Sequence, residues 1–289
     1  MDRQSWFETG TYLKYGDHRI FYRTAENDRE TLLCLHGFPT SSFDYHKVWP
    51  ALSEEFSLVA FDMIGYGFSD KPADFNYTTS AQVDILQALL ADLKIERLHL
   101  LSHDYGNTIV QELLARREET RVDFEIDSIC FLNGALFPET HRPILAQKIL
   151  IGPFGPIFGR LIPDARFKGS LSSVFGPKTR PTDEESDDFI EIFKYNGGRK
   201  IAHRLIQYMR ERTVHRERWV EALRRIDRPF RLINGLADPV SGAHLVERFR
   251  EIVPHQKDII ELNGVGHFPH FEVPEIFLKY FFEFHGKPT

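Results

Sequence analysis

The sequence predicts an α/β fold, a mostly parallel central sheet with helices on both faces and an inserted helical cap. Three observations carry this expectation. Short, uniformly apolar runs recur along the 289-residue chain. Amphipathic segments with helical spacing lie between them. Each apolar run ends in glycine, aspartate or histidine. Strands that are apolar on both sides are buried on both faces, the condition of a parallel sheet held between helix layers.

Two β-like runs, TYLKY (11–15) and RIFYRT (19–24), flank Gly16-Asp17 and read as a hairpin. TLLCLHG (31–37), SLVAFDMIG (57–65), RLHLLSH (97–103) and DSICFLNG (127–134) follow as strands, with helical patterns at Ser80 to Leu93 and Asn107 to Arg117. The alternation stops after about Phe137. From there to about Arg228, glycine–proline breaks give way to charged helical segments without a core strand. FRLINGLAD (230–238) and DIIELNGVGH (258–267) resume the pattern, and Pro274 to His285 reads as a closing helix. The expectation is a core domain formed by 1–136 and 226–289, interrupted by a cap at 137–225.

Apolar residues at 42% and charged residues at 27% are ordinary globular usage, which excludes a disordered or fibrous chain. A net charge of −6 argues against a nucleic-acid protein built on a positive field. Cys34 and Cys130 sit in apolar runs and read as small buried hydrophobes, as in a reducing compartment. The opening MDRQSWFETG lacks the apolar core of a signal peptide. The greasiest stretch, Ile144 to Ile162, is broken by Lys148, Pro153, Pro156 and Arg160 and does not read as a membrane span. A cytoplasmic protein is expected, and a homodimer is compatible with the sequence. No His/Cys/Asp group has metal-ligand spacing, so neither a metal nor another cofactor is expected. The six acids in 183–191, and the ten Lys/Arg against four acids in 199–228, read as facing helices or solvated surface.

In open α/β sheets ligands bind at the carboxyl ends of strands. Leu100-Leu-Ser-His-Asp-Tyr-Gly106 leaves a strand and opens a helix, the layout of a nucleophile elbow with Asp104 at the reactive position. An N-cap aspartate is the bland reading of the same residue. Asp238 follows a late strand and His267 the last one, giving the chain order nucleophile, acid, histidine. His36-Gly-Phe-Pro39 follows the third strand. Its Phe38 amide, with that of Tyr105, would form an oxyanion hole.

These motifs together, HGFP, D-x-x-G-x-G-x-S from Asp62, the HDYG elbow, GLAD and a GH-x4-E-x-P ending, resemble the α/β-hydrolase superfamily. Aspartate at the elbow is similar to its epoxide hydrolase and haloalkane dehalogenase branch. Phe137-PETHRP143, Phe175-GPKTRP181 and Gln207-YMRERTVHRERW219 resemble the mesoderm-specific transcript group of that branch. The resemblance implies cap tyrosines as proton donors to an epoxide oxygen. Tyr208 is the better match and Tyr195 the second, with His36 beside the substrate.

A carboxylate attacking a saturated carbon gives an ester that water can then cleave. The expected reaction is therefore epoxide hydrolysis to a diol through an ester on Asp104. His267, oriented by Asp238, acts as the base. The expected substrate is small, apolar and organic. A haloalkane or haloacid dehalogenase of the same mechanism is the alternative, although Tyr105 and Phe38 stand where those enzymes place halide donors. A non-catalytic binding protein on the same scaffold is the reading from another class.

Overall fold

The computed structural model describes residues 1–288; Thr289, the last residue of the expected core domain, lies outside them. Eight strands form one sheet: β1 (Thr11–Tyr15), β2 (His18–Ala25), β3 (Thr31–Leu35), β4 (Ser57–Phe61), β5 (Arg97–Ser102), β6 (Glu125–Phe131), β7 (Phe230–Gly235) and β8 (Ile259–Leu262). Their order is β1-β2-β4-β3-β5-β6-β7-β8. β1 pairs antiparallel with β2, and β2 with β4. The remaining pairs are parallel. Each strand falls on a run that the apolar pattern marks.

Alternate residues on the central strands feed two cores. Leu33, Leu35, Val59, Phe61 and Leu100 pack into one. Leu32, Cys34, Leu58, Ala60 and Leu101 pack into the other, on the opposite face. Both faces are buried because helices cover both, which is why these runs carry no polar alternation. Helices Thr79–Asp92 and Tyr105–Glu118 contribute Leu86, Leu89, Ile109 and Leu113 to the first core, and the closing helix Pro274–Phe284 contributes Phe277 and Phe281 to the second. Cys34 and Cys130 are buried and unpaired.

After β3 the chain moves to β4 on one side, then returns to place β5 on the other. The connections diverge there, so a crevice opens between the carboxyl ends of β3 and β5. Between β6 and β7 the described residues form helices and no strand. The acid-rich segment is the helix Asp183–Lys194, started by a Thr182–Glu185 capping box with three acids in its first turn. Negative charge there opposes the positive end of the helix dipole. The basic segment includes the helix Arg216–Arg224, which lies on Tyr105–Glu118. Glu112 accepts from Arg218 at 2.9 Å and from the Trp219 indole at 2.8 Å. Most of these charges face other helices or solvent, as the sequence pattern suggests; Arg212, whose side chain is 2% exposed, is an exception.

Candidate active site

β5 ends at Ser102, and two residues later Asp104 takes φ 46° and ψ −106° before the helix begins at Tyr105. A non-glycine residue in that region is strained and persists only where its surroundings fix it. The surroundings are close. A Cβ on Gly106 would stand 2.6 Å from the Leu35 carbonyl oxygen, and one on Gly37 would stand 2.5 Å from the Asp104 Cβ. Only glycine at both positions lets the elbow meet the loop after β3. Asn107 bridges Ser102, which donates to its Oδ1 at 2.7 Å, and the Leu132 carbonyl, to which its Nδ2 donates at 2.8 Å. That polar brace ties the helix start to β5 and to the loop after β6.

The Phe38 N–H donates to Asp104 Oδ2 at 3.0 Å. The Tyr105 amide opens the helix and so has no intrahelical acceptor. Across the cleft His267 Nδ1 stands 2.7 Å from Asp238 Oδ2. Asp238 is held in turn by the Val240 amide at 2.8 Å, the Ser241 hydroxyl at 2.6 Å and Asn133 Nδ2 at 3.1 Å. With Nδ1 donating to a carboxylate, Nε2 is the nitrogen left for chemistry. Glu272 fixes the histidine's loop. It accepts from the amides of Gly266 and Phe268 and, from the loop after Phe175, from the Gly176 amide and the Thr179 hydroxyl.

Burial alone would raise the Asp104 carboxyl. The positive charges of His267 and Arg212, together with the Phe38 amide, outweigh it and hold the group below the usual carboxylate value. Burial likewise would lower the His267 imidazole, but Asp238 and Asp104 overcome it and raise it to about 9. Asp238 is the counterpart. Its burial is outweighed by His267 and Ser241, and it falls to about 2. Each shift therefore favours the charged form of its group, against the cost of burial.

Asp104 and His267 line a cavity walled mainly by apolar side chains such as Leu150, Phe158, Ile162 and Phe193. Phe38 also lines it. The Tyr208 ring is fully buried, is not among the residues that line the cavity, packs against Phe38 and stacks on Tyr105 at 4.3 Å, and its hydroxyl has no hydrogen-bond partner. Two sequence expectations need correction. Tyr195 is partly exposed and packs on Phe7 and Phe68, outside the cavity. The 3-10 turn in which it stands, Tyr195–Gly197, directs its ring to the core's N-terminal helix. His36 is buried, accepts from the Met63 amide at Nε2 and donates through Nδ1 to the Gly37 carbonyl, so its ring joins two loops and reaches no ligand space.

The sequence reading missed Arg212. Its side chain is 2% exposed, donates from Nε to Thr108 at 2.8 Å and from Nη2 to the Asp104 carbonyl at 3.2 Å. The guanidinium lies over the Tyr208 ring. One charged residue among ten of its kind gives no signal in sequence. Asp44, His103 and His270 are also brought together, fully buried, with possible ligand atoms within 4.8 Å of one another. They are the described residues with a donor set suited to a metal. His103 Nε2 donates to the His267 carbonyl, and both ring nitrogens of His270 are without partners.

The family model described as alpha/beta hydrolase fold matches residues 30–152. The mouse (Mus musculus) mesoderm-specific transcript protein is 39% identical over 290 residues, covering 97% of this chain and 87% of that protein. A cis-3-alkyl-4-alkyloxetan-2-one decarboxylase of Shewanella oneidensis is 27% identical, covering 89% of this chain and 82% of that protein. Among solved structures, a haloalkane dehalogenase loop variant from Bradyrhizobium elkanii superposes with a TM-score of 0.79 at 21% identity, covering 96% of each chain. The elbow, the strand order and these similarities lead to one assignment: the chain belongs to the α/β-hydrolase superfamily, with the mesoderm-specific transcript proteins among its relatives.

Proposed function

We propose that this protein hydrolyses a strained oxygen ring, an epoxide foremost, through an ester on Asp104. The observation that carries the reading is an ionised carboxylate at the elbow, in one apolar cavity with a histidine that is itself paired to a second acid. An Asp104 oxygen attacks a ring carbon, the C–O bond breaks, and the ring oxygen takes a proton from Tyr208. Burial, and then the charge of Asp104, raise the Tyr208 hydroxyl well above its ordinary value, so it is neutral and able to donate. Esterification removes the charge of Asp104. His267 thereby loses part of the field that holds its proton and returns one to Tyr208. Neutral His267 then takes a proton from water, hydroxide adds to the ester carbonyl, and the Phe38 and Tyr105 amides stabilise the oxyanion. Collapse releases a diol and restores the carboxylate and imidazolium.

This cycle draws no proton from bulk solvent. That balance favours a ring oxygen, which must gain a proton, over a halide, which leaves without one. The segment 137–225 supplies most of the cavity wall and serves as the lid, and Tyr208, from the same segment, stands buried against Phe38 and Tyr105. The substrate named for the Shewanella relative, an oxetan-2-one with two alkyl groups, is also a strained oxygen ring on an apolar frame.

The test is His267→Gln with a panel of alkyl epoxides, alkyl oxetan-2-ones and haloalkanes. Alkylation needs no base, so the variant is expected to accumulate protein heavier by one whole epoxide, with the added mass on Asp104. Wild type is expected to release diol. Diol formed by wild type without adduct in the variant counts against the ester. Halide release without diol assigns the alternative reaction. Neither turnover nor adduct on any member favours a binding protein.

A further inference from the structure

The cap helices that cover the cavity are apolar on their outer side as well. Ile144, Leu150, Phe158 and Ile162 face the cavity. From the same stretch, Leu145 is 72% exposed, Phe154 71%, Ile157 60% and Leu161 73%. Among the described residues, four of the eight exposed large apolar side chains thus fall within 17 residues. Phe154, Ile157 and Leu161 are spaced i, i+3, i+7 and share one helix face, and Leu145 begins the helix packed beside it. Helix faces that a folded chain leaves apolar in water mark a contact surface.

The surrounding charge identifies what it contacts. Residues 141–168 hold five basic side chains against one acid, Asp164, in a protein whose net charge is −6. Asp164 is already paired with Lys194 and Arg199. Among the described residues Arg142, Lys148, Arg160 and Arg166 are exposed and make no ion pair. Arg160 shares a surface crevice with Lys200, which makes no ion pair among the described residues, and with Lys194 and Arg199, which are held by Asp164. An apolar helix face rimmed by unpaired lysine and arginine is the composition of a segment that lies in the interface of an anionic bilayer. Both helices have seven residues, and no described helix is long and apolar enough to cross a membrane. The segment can lie on the surface and cannot span.

We propose that Leu145–Ile151 and Gly155–Leu161 form a docking face that seats the cap on an anionic lipid bilayer, so that the cavity behind it receives its substrate from the lipid phase. The docking stands on the surface alone. The lipid-phase substrate rests on the hydrolase reading above.

The experiment is flotation of the full chain with vesicles of phosphatidylcholine, and of phosphatidylcholine with about one-third phosphatidylserine. Wild type is expected to float with the anionic vesicles and more weakly with the neutral ones, and to be partly released by salt. Replacing Leu145, Phe154, Ile157 and Leu161 together with serine is expected to weaken binding about a hundredfold. Circular dichroism and turnover of a short, water-soluble epoxide are expected to stay unchanged, since none of the four lines the cavity. Lys148→Glu with Arg160→Glu is expected to abolish the preference for anionic vesicles. The proposal fails if wild type floats with neither composition, or if the serine variant floats as well as wild type. It also fails if the chain is a dimer that the serine substitutions dissociate, because a second copy then covers the face. Flotation needs no turnover, so loss of the hydrolase reading would leave this result standing.

Discussion

At Asp104 two cations meet around one carboxylate: His267 and Arg212 each lower its pKa against the penalty of burial, while burial lowers the neighbouring His103 to about 3 and leaves it neutral. The influence is mutual, because Asp104 helps to raise His267 to about 9. Removing that charge is therefore a direct test of how the base is released. In Asp104→Asn the amide keeps the shape of the carboxylate without its charge. The His267 titration, followed by NMR of its ring protons, is expected to fall below the wild-type midpoint while staying above the ordinary histidine value, since Asp238 remains. An unchanged midpoint would mean that Asp238 alone holds the proton, and that ester formation does not free the base.

Glu272 shows how an element, rather than a reacting group, sets the site. One carboxylate gathers three amides and a hydroxyl from the histidine loop and the loop Phe175–Thr179, joining the end of the sheet to the helical segment between β6 and β7. Glu272→Ala leaves those donors without an acceptor and is expected to cost about 2–3 kcal/mol in urea denaturation. Turnover is expected to fall with it, because the His267 amide itself donates to Val174 on the same cap loop. Glu272→Gln, which keeps one acceptor oxygen, is expected to recover part of both. Elements of this kind mark the limit of what the sequence discloses. The strands were legible because burial on both faces leaves continuous apolar runs, and Asp104, Asp238 and His267 because each stands at a strand end. Arg212 was not, because its role depends on which of ten basic residues the cap turns inward. Nor were the places of Tyr195 and His36, which depend on a turn and on a tautomer. Asp44, His103 and His270 are separated by 59 and 167 residues and meet only through the sheet order.

Over the whole molecule the buried pair His267–Asp238 makes stability depend on pH in two windows. The folded His267 value of about 9 lies above its unfolded value of 6.5, so its contribution is complete below about pH 6.5 and lost as pH rises through 9. Asp238, lowered from 3.8 to about 2, contributes fully above pH 3.8 and loses its share as pH falls through 2. The alkaline loss is on the order of 3 kcal/mol, counting the pair once. Lys71 acts in the opposite sense. Burial lowers it from 10.5 to about 8, so its penalty diminishes as pH rises from 8 towards 10.5 and offsets part of the decline. The wild-type curve alone therefore mixes two groups, and the difference between wild type and His267→Gln separates them, since Lys71 is common to both. Urea unfolding at intervals from pH 6 to 9.5 is expected to show wild type more stable at pH 6, with the advantage shrinking steadily to pH 9. A gap that stays constant across that range would mean that His267 is not held protonated in the folded protein, and the closed proton cycle proposed for the reaction would have no source for its first proton.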